Sequence, residues 1–128
     1  MNVLLDTHAF IWLDTNPEKL SKTAMDACQN VDNPLFISMA SVWEMQIKVQ
    51  LGKLDLRIPL AEMLKVQQQE NDLIVLGITL EHIYQLQNLP FHHNDPFDRL
   101  IIAQSSLENM TLVSADGKFK HYDISVLW

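Results

Sequence analysis

Short apolar runs, separated by helical patterns, constrain the fold of this chain more than any other feature of its sequence. The runs are Val3–Leu5, Leu35–Ile37, Leu73–Leu76 and Thr111–Val113, with a short fifth at residues 124–127. Continuous apolar runs of this length are typical of strands buried on both faces, and alternation with helices indicates that the strands are parallel. The sequence therefore predicts an α/β protein whose central parallel sheet is covered on both faces.

Helix start and stop signals fill the segments between these runs. Proline suits the first turn of a helix and glycine the position just beyond its end. The predicted helices cover residues 8–13, a segment following Asn16-Pro17, Ser41 to about Leu51 with Gly52 after it, Pro59 to about Glu70, a short segment from Thr79, and Asp95-Pro96 to about Asn109. In such a fold, ligands bind beyond the carboxyl ends of the strands, where the strand order reverses.

The composition bounds the class of protein. A chain of 128 residues that is 48% hydrophobic has enough apolar surface for one core, so we predict a single domain over residues 1–128. The single cysteine, Cys28, excludes an internal disulfide and a metal site made of several thiolates from this chain. The chain starts without signal-peptide features and has no run approaching roughly 18 apolar residues, which predicts a cytoplasmic protein that makes no membrane contact.

The net charge of −7 argues against broad binding to nucleic acid, which usually leaves a basic surface. An acidic chain that does bind nucleic acid would have to hold it with a local basic patch. Lys48, Lys53 and Arg57 are candidates for that patch, although their more ordinary role is solvation of a helix and the loop after it.

Four carboxylates lie where the crevice of such a sheet is expected. Asp6 directly follows the first strand, and Asp116 lies three residues after the fourth. Glu44 lies in the first turn of the predicted helix after strand two, and Asp98 in the first turn of the predicted helix before strand four. Because the carboxyl ends of parallel strands share one edge of the sheet, all four are expected to project into one crevice.

Each acid also has an ordinary structural explanation when it is taken alone. Asp6 suits an N-cap, and Glu44 fits a capping box with Ser41. Asp98 suits the positive end of a helix dipole, and Asp116 precedes Gly117 in a plain turn dipeptide. Capping does not, however, require the four acids to converge.

A cluster of four carboxylates needs compensation. Two like charges about 4 Å apart repel by roughly 4 kcal/mol at an effective dielectric constant near 20. Protonation, basic partners or a cation must offset that repulsion, and Mg²⁺ or Mn²⁺ with oxygen ligands is the simplest answer. Such a metal can lower the pKa of a bound water and offset charge on a phosphodiester under attack.

Five motifs, taken together, resemble those of PIN-domain ribonucleases, and most closely the VapC-like toxins of bacterial toxin–antitoxin pairs. They are Leu4-Leu5-Asp6-Thr7-His8, Ser41-Val42-Trp43-Glu44, Gly52-Lys53-Leu54, Asp95-Pro96-Phe97-Asp98-Arg99 and Leu112-Val113-Ser114-Ala115-Asp116. The resemblance covers essentially the whole chain. It implies a three-layer α/β/α sandwich with a mostly parallel sheet of four to five strands. It also implies Mg²⁺- or Mn²⁺-dependent endonucleolytic cleavage of RNA.

The resemblance also implies roles for the acids. Asp6 and Asp98 are the expected principal metal ligands, and Glu44 and Asp116 are expected to complete the site directly or through water. In the family pattern the ligand is the acid immediately before the apolar helix run, which selects Asp98 over the N-cap candidate Asp95.

Three further residues are candidates for positioning the substrate. Thr7 and Ser114 match the family's small hydroxyl positions and are candidates to bind water or phosphate. Arg99 neighbours a motif acid and can either approach a phosphate or form a salt bridge, of which the salt bridge is the more ordinary role.

Several other side chains receive no functional role from the sequence. His92 and His93 border the expected crevice, but adjacent histidines normally point apart, and a solvated loop is expected there. Trp12, Trp43 and Phe97 lie at helical spacings typical of a core. The apolar helices at 8–13 and 41–51 nevertheless carry more hydrophobic surface than one small core covers, which predicts a partner.

The resemblance suggests two such partners, a second copy of the chain and an antitoxin that blocks the acidic site. The alternative function is a non-catalytic acidic module that binds a metal or a partner. A signalling receiver domain is excluded because strand three ends Leu76-Gly77 without an acid and strand five ends without a lysine.

Overall fold

The apolar runs form the strands of one sheet in the computed structural model, which describes residues 1–128. The strands are β1 Val3–Leu5, β2 Leu35–Ser38, β3 Ile74–Leu76, β4 Thr111–Val113 and β5 Ser125–Leu127. They lie in the order β3-β2-β1-β4-β5, and every neighbouring pair is parallel. The predicted fold class is therefore confirmed, with five strands.

Six α-helices connect and cover the strands. They are α1 Thr7–Thr15, α2 Lys22–Gln29, α3 Met39–Gln50, α4 Leu60–Asn71, α5 Leu80–Gln85 and α6 Pro96–Leu107. The helix predicted after Asn16-Pro17 begins later, because Pro17–Lys19 forms a separate 3-10 turn and Ser21 caps α2. No helix of this fold is both long enough and apolar enough to cross a lipid bilayer.

The two faces of β1 explain the three layers. Successive side chains of a strand point to opposite faces. Val3 and Leu5 pack into a core cluster that includes Phe10 of α1 and Met45 of α3, together with residues of α2 and α4. Leu4 packs on the other face, in a second cluster with Ile101 of α6. The sheet is thus enclosed between two helical layers, as the apolar runs indicate.

Helix α3 begins earlier than the sequence predicts. Ser38, the last residue of β2, is its N-cap and accepts a hydrogen bond from the Ala40 amide at 3.0 Å. Ser41 lies inside the helix, so the predicted capping box of Ser41 and Glu44 is wrong, and Glu44 belongs to the second turn. The predicted end is confirmed, because Gly52 follows the C-cap with a φ of +69°, a conformation that suits glycine.

The strand order reverses between β1 and β4. From β1 the chain proceeds outward through β2 to β3, then crosses to β4 and β5 on the other side of β1. The Asp6 amide donates to the Val113 carbonyl at 3.1 Å, which holds the ends of these two strands together. Ligand crevices of open parallel sheets lie at this point, beyond the carboxyl ends of the strands.

Candidate active site

Asp6 lies at the point of strand reversal and is almost fully buried. Its Oδ1 accepts a hydrogen bond from the Ala9 amide at 2.7 Å, so Asp6 is the N-cap of α1, as one of the two sequence interpretations predicts. Its Oδ2 accepts from the Ser114 hydroxyl at 2.5 Å. Burial raises the pKa of the Asp6 carboxyl, although the hydrogen bonds from Ser114 and Ala9 oppose that rise.

Glu44 reaches the site from α3 and is also buried. Its Oε1 accepts from the Thr7 hydroxyl at 2.8 Å, and its Oε2 accepts from Lys48 Nζ at 2.9 Å. The hydrogen bond to Glu44 raises the pKa of the Lys48 ammonium, because it favours the charged form. Glu44 is therefore held from both sides, by a hydroxyl of α1 and by a lysine one turn along α3.

The Thr7 and Ser114 hydroxyls are both buried and both donate to carboxylates. Hydroxyls fixed in this way orient the acids that accept from them. The substrate-positioning role predicted for the two residues stays a prediction. Each hydroxyl donates to an acid, and the Ser114 oxygen also accepts from the Asp116 amide at 3.0 Å.

Asp98 and Asp116 carry the remaining two of the four predicted carboxylates. Asp95 is the N-cap of α6, with its Oδ1 accepting from the amides of Phe97 and Asp98 at 2.9 and 3.0 Å, which leaves Asp98 in the first turn. Asp116 follows β4, where its Oδ1 accepts from the Lys118 amide at 2.9 Å. Ligand atoms of Asp98, Asp116 and His93 all lie within 4.8 Å of one another.

The electrostatics of Asp98 reflect this convergence. Burial raises the pKa of its carboxyl, and the neighbouring acids Asp95, Glu44, Asp6 and Asp116 raise it further, to about 7. The four predicted acids are thus close enough for three of them to perturb the fourth. A carboxyl whose ionisation is opposed in this way is typical of a functional site.

His93 is a site residue that the sequence analysis did not assign. It is buried rather than solvated, and its Nε2 lies 2.8 Å from Asp98 Oδ2 and 3.5 Å from Asp116 Oδ2. His92, by contrast, is exposed. The pair precedes the N-cap Asp95, where side chains often bond to nearby amides, but that signal does not say which histidine faces the crevice.

Arg99 does not face the acids. Its guanidinium is buried and donates to four carbonyl oxygens, those of Leu86, Leu89, Pro90 and His93, at 2.9 to 3.3 Å. The substrate-positioning role predicted for Arg99 stays a prediction, and in the structure its guanidinium donates to carbonyl oxygens and forms no salt bridge. Arginine is suited to the observed role because its planar fork carries five donors. Arg99 therefore holds the loop before α6 in place.

The donor set fits a divalent metal. Carboxylate oxygens are the ligands that Mg²⁺ and Mn²⁺ prefer, and the cluster combines four carboxylates with one lysine in direct contact. A cation placed among these acids would also offset the repulsion that opposes ionisation of Asp98.

Helix α3 exposes part of its apolar surface close to this site. Trp43, which the spacing assigns to the core, is 59% exposed and packs edge-on against Phe97, with ring centroids 5.2 Å apart. Met39, Val49 and Leu51 are exposed as well. The core assignment of Trp43 is wrong, whereas the predicted excess of hydrophobic surface on this helix is present.

Comparisons with known proteins agree with this architecture. The family model of the PIN domain matches residues 3–125. Ribonuclease VapC22 of Mycobacterium tuberculosis is 30% identical over 121 residues, which cover 94% of this chain and 91% of that protein.

Solved structures share the fold at lower sequence identity. VapBC2 from Rickettsia felis, bound to a DNA fragment from its promoter, gives a TM-score of 0.75 at 17% identity and covers 98% of this chain and 97% of that one. DNA-bound VapBC from Salmonella typhimurium gives 0.66 at 16% identity, covering 98% and 96%. By its family match and its relative, the chain belongs to the PIN domain family, among the VapC-type ribonucleases.

Proposed function

We propose that this protein is a Mg²⁺- or Mn²⁺-dependent endoribonuclease and the toxin of a toxin–antitoxin pair. The observation that carries the proposal is the convergence of Asp6, Glu44, Asp98 and Asp116 at the strand reversal, with the pKa of Asp98 raised to about 7. Like charges gathered at a buried site are costly unless a ligand offsets them. A divalent cation offsets them and is needed for the phosphodiester chemistry that the family performs.

The four acids have different proposed roles. Asp6 and Asp98 would hold the cation, and Glu44 and Asp116 would complete its site. When bound, the cation supplies Lewis-acid stabilisation of the phosphodiester and lowers the pKa of water. Ser114 and Thr7 fix the orientation of Asp6 and Glu44 by donating to them. Lys48 neutralises part of the charge on Glu44 at 2.9 Å.

The basic side chains proposed to contact the RNA backbone differ in whether they already pair with an acid of the fold. Arg57 is paired with the buried Asp14 at 3.1 Å, so its charge is used within the fold. Lys48 is partly exposed beside Glu44, and Lys53 is exposed after the end of α3. Lys48 is likewise paired with the buried Glu44, so Lys53, which forms no ion pair, is the proposed contact to phosphate among the three predicted basic residues.

Two protein partners are proposed. The VapBC complexes from Rickettsia felis and Salmonella typhimurium are bound to DNA. By analogy, this chain would bind a cognate antitoxin that blocks its acidic site and carries it to DNA. The exposed apolar residues of α3 would pair two copies of the chain as a homodimer, because an apolar patch of this kind marks a contact surface. The cytoplasm is the proposed location.

The test is cleavage of total cellular RNA by purified protein in Mg²⁺ or Mn²⁺, with and without chelator, followed by sequencing of the fragment ends. Asp98→Asn keeps the size of the side chain and removes its charge. Asp32→Asn makes the same change in an exposed loop and serves as the matched control. We expect discrete cuts by the wild type and Asp32→Asn, and none with chelator or with Asp98→Asn.

Other results would reject the proposal in distinct ways. Equal cleavage by the wild type and Asp98→Asn would show that the activity belongs to a contaminant or does not need this acid. Metal binding without cleavage of any RNA would favour the alternative, a non-catalytic module that binds metal or a partner.

A further inference from the structure

Three of the four acids are held by hydrogen bonds from the protein, and one is not. Asp6 accepts from Ala9 and Ser114, Glu44 from Thr7 and Lys48, and Asp116 from the Lys118 amide. The Asp98 carboxylate accepts no hydrogen bond within the chain. Its close polar contact is His93 Nε2, at 2.8 Å. Ligating carboxylates are normally oriented by hydrogen bonds from an outer shell, so the orientation of Asp98 depends on His93.

The backbone of His93 is held by hydrogen bonds, and its ring is held by packing, both away from the acids. Its amide donates to the Tyr122 hydroxyl at 2.8 Å, and its carbonyl accepts from Arg99 at 3.2 Å. Its ring packs against Phe119, with centroids 5.6 Å apart. The imidazole is therefore held in one place before any ligand binds.

The hydrogen bond on the other ring nitrogen assigns the proton. Nδ1 accepts from the Asp95 amide at 3.3 Å. A neutral imidazole has one donor nitrogen and one acceptor nitrogen, so this contact makes Nε2 the N–H. Nε2 lies close to Asp98 Oδ2 but off the line that a hydrogen bond requires, and it has no other hydrogen-bond partner. The Asp98 carboxylate accepts no other hydrogen bond within the chain, so no such bond opposes its alignment with Nε2.

We propose that His93 is the positioning residue of Asp98, and that its Nε2–H holds this carboxylate, with Asp116 alongside, in the orientation that binds the cation. The inference rests on the proposed function, because it assigns His93 a part in that metal site. The competing role, direct ligation of the metal by Nε2, requires a lone pair on that nitrogen and a proton on Nδ1. That proton would face the Asp95 amide, so the observed contacts favour the donor role.

The experiment measures binding of Mn²⁺ alone to the full chain for a matched pair of variants. His93→Gln retains an N–H donor on a side chain of similar reach, and His93→Met has the same length without a donor. We expect His93→Gln to bind within about threefold of the wild type and His93→Met to bind about 10- to 100-fold more weakly. His92→Ala, at the exposed neighbour, should bind as the wild type does.

Two spectroscopic readouts separate positioning from ligation and from a merely structural role. Nitrogen NMR of the metal-free protein should show the Nε2–H tautomer of His93, and its shift should change in Asp98→Asn. Pulsed EPR of bound Mn²⁺ should show no directly coordinated nitrogen. A coordinated nitrogen that disappears in His93→Gln would overturn the donor role, as would an Nδ1–H tautomer.

The outcomes also distinguish failure of this inference from failure of the proposed metal-dependent function. Wild-type binding of Mn²⁺ with an unchanged affinity in His93→Met would overturn the role of His93 alone. Failure of the wild type to bind Mn²⁺ would overturn the metal site itself. Equal thermal midpoints of the two variants would show that any difference in affinity is not a difference in folding.

Discussion

The chain contains two buried histidines with nearly the same local contacts and different surroundings. His82 Nδ1 accepts from the Thr79 amide at 3.0 Å, and its Nε2 lies 2.9 Å from Glu108. His93 Nδ1 accepts from the Asp95 amide at 3.3 Å, and its Nε2 lies 2.8 Å from Asp98. Each imidazole is therefore placed between an amide at the start of a helix and a carboxylate.

The difference lies in the carboxylate. Glu108 is 43% exposed, and its ion-pair contact is with His82 alone. Asp98 is 21% exposed, and four other acids oppose its ionisation. The same histidine geometry thus completes a helix cap in one place and borders a charge cluster in the other. The charges around each carboxylate, rather than the histidine that it contacts, distinguish the proposed metal ligand Asp98 from Glu108.

The largest expected effect concerns the two carboxylates. Asp98→Asn should lower RNA cleavage about 1,000-fold, or roughly 4 kcal/mol, because it removes a proposed metal ligand. Glu108→Gln should change cleavage less than about twofold. Initial rates on one RNA at saturating Mn²⁺ measure both. A comparable loss in Glu108→Gln would show that the comparison between the two pairs is wrong.

The next effect separates the two histidines. His82→Ala should lower the free energy of unfolding by about 2–3 kcal/mol, because it removes a capping-box partner and a fully buried side chain. Its affinity for Mn²⁺ should not change. Urea unfolding and a Mn²⁺ titration of the same preparation test this. Weaker Mn²⁺ binding at unchanged stability would place His82, too, in the metal site.

A smaller effect depends on pH. In metal-free protein the carboxyl of Asp98 has a pKa of about 7, above its usual 3.8, so the folded state binds this proton more tightly than the unfolded state. Wild-type stability therefore falls as pH rises from about 4 to about 7, and this loss is complete above pH 7. Asparagine does not ionise, so Asp98→Asn should gain stability relative to the wild type across that range.

Relative to the wild type, Asp98→Asn should be more stable at pH 8 than at pH 5 by about 2 kcal/mol. The upper limit is about 2.7 kcal/mol, because two pH units separate pH 5 from the Asp98 pKa of about 7. Urea unfolding in chelator at both values measures it. A gain of the same size at pH 5 and pH 8 would show that the neighbouring acids do not oppose ionisation of Asp98.

The smallest effect completes the comparison. Glu108→Gln should lower stability by less than about 1 kcal/mol, because its carboxylate is partly exposed and partly screened by water. Thermal unfolding with and without 0.5 M salt, a condition of roughly 4 Å screening length, tests this. A loss above about 2 kcal/mol would show that the His82–Glu108 pair stabilises the fold more than is expected of a partly exposed ion pair.

The sequence predicts what local chemistry determines. The apolar runs become strands, Asp95 caps α6, and Gly52 ends α3, because each follows from side-chain periodicity or backbone preference. The convergence of the acids also follows, since parallel strands present their carboxyl ends at one edge of the sheet. Local signals place Asp6 at a strand end and Asp98 at a helix start, and strand pairing and helix packing then bring these ends to that edge.

What the sequence does not predict depends on contacts between distant residues. Ser38 and Ser41 are both suitable caps for α3, and Ser38 also donates to Gln104, which lies 66 positions away. Spacing places Trp43 on an apolar face but does not say what covers that face. His93 becomes a site residue through Tyr122 and Arg99, which hold its loop from later elements.

The hydrogen bond from Ser114 to Asp6 joins residues 108 positions apart, and it has a consequence for the order of events during synthesis. A ribosome-bound chain that has not yet released Ser114 has no side-chain donor for Asp6 and no fourth strand beside the first. Long-range parallel pairing is slow because the chain loses the entropy of the closed loop before the strands make any stabilising contact. The acidic centre is thus among the last features to form, and the chain lacks the proposed nuclease site during most of its synthesis.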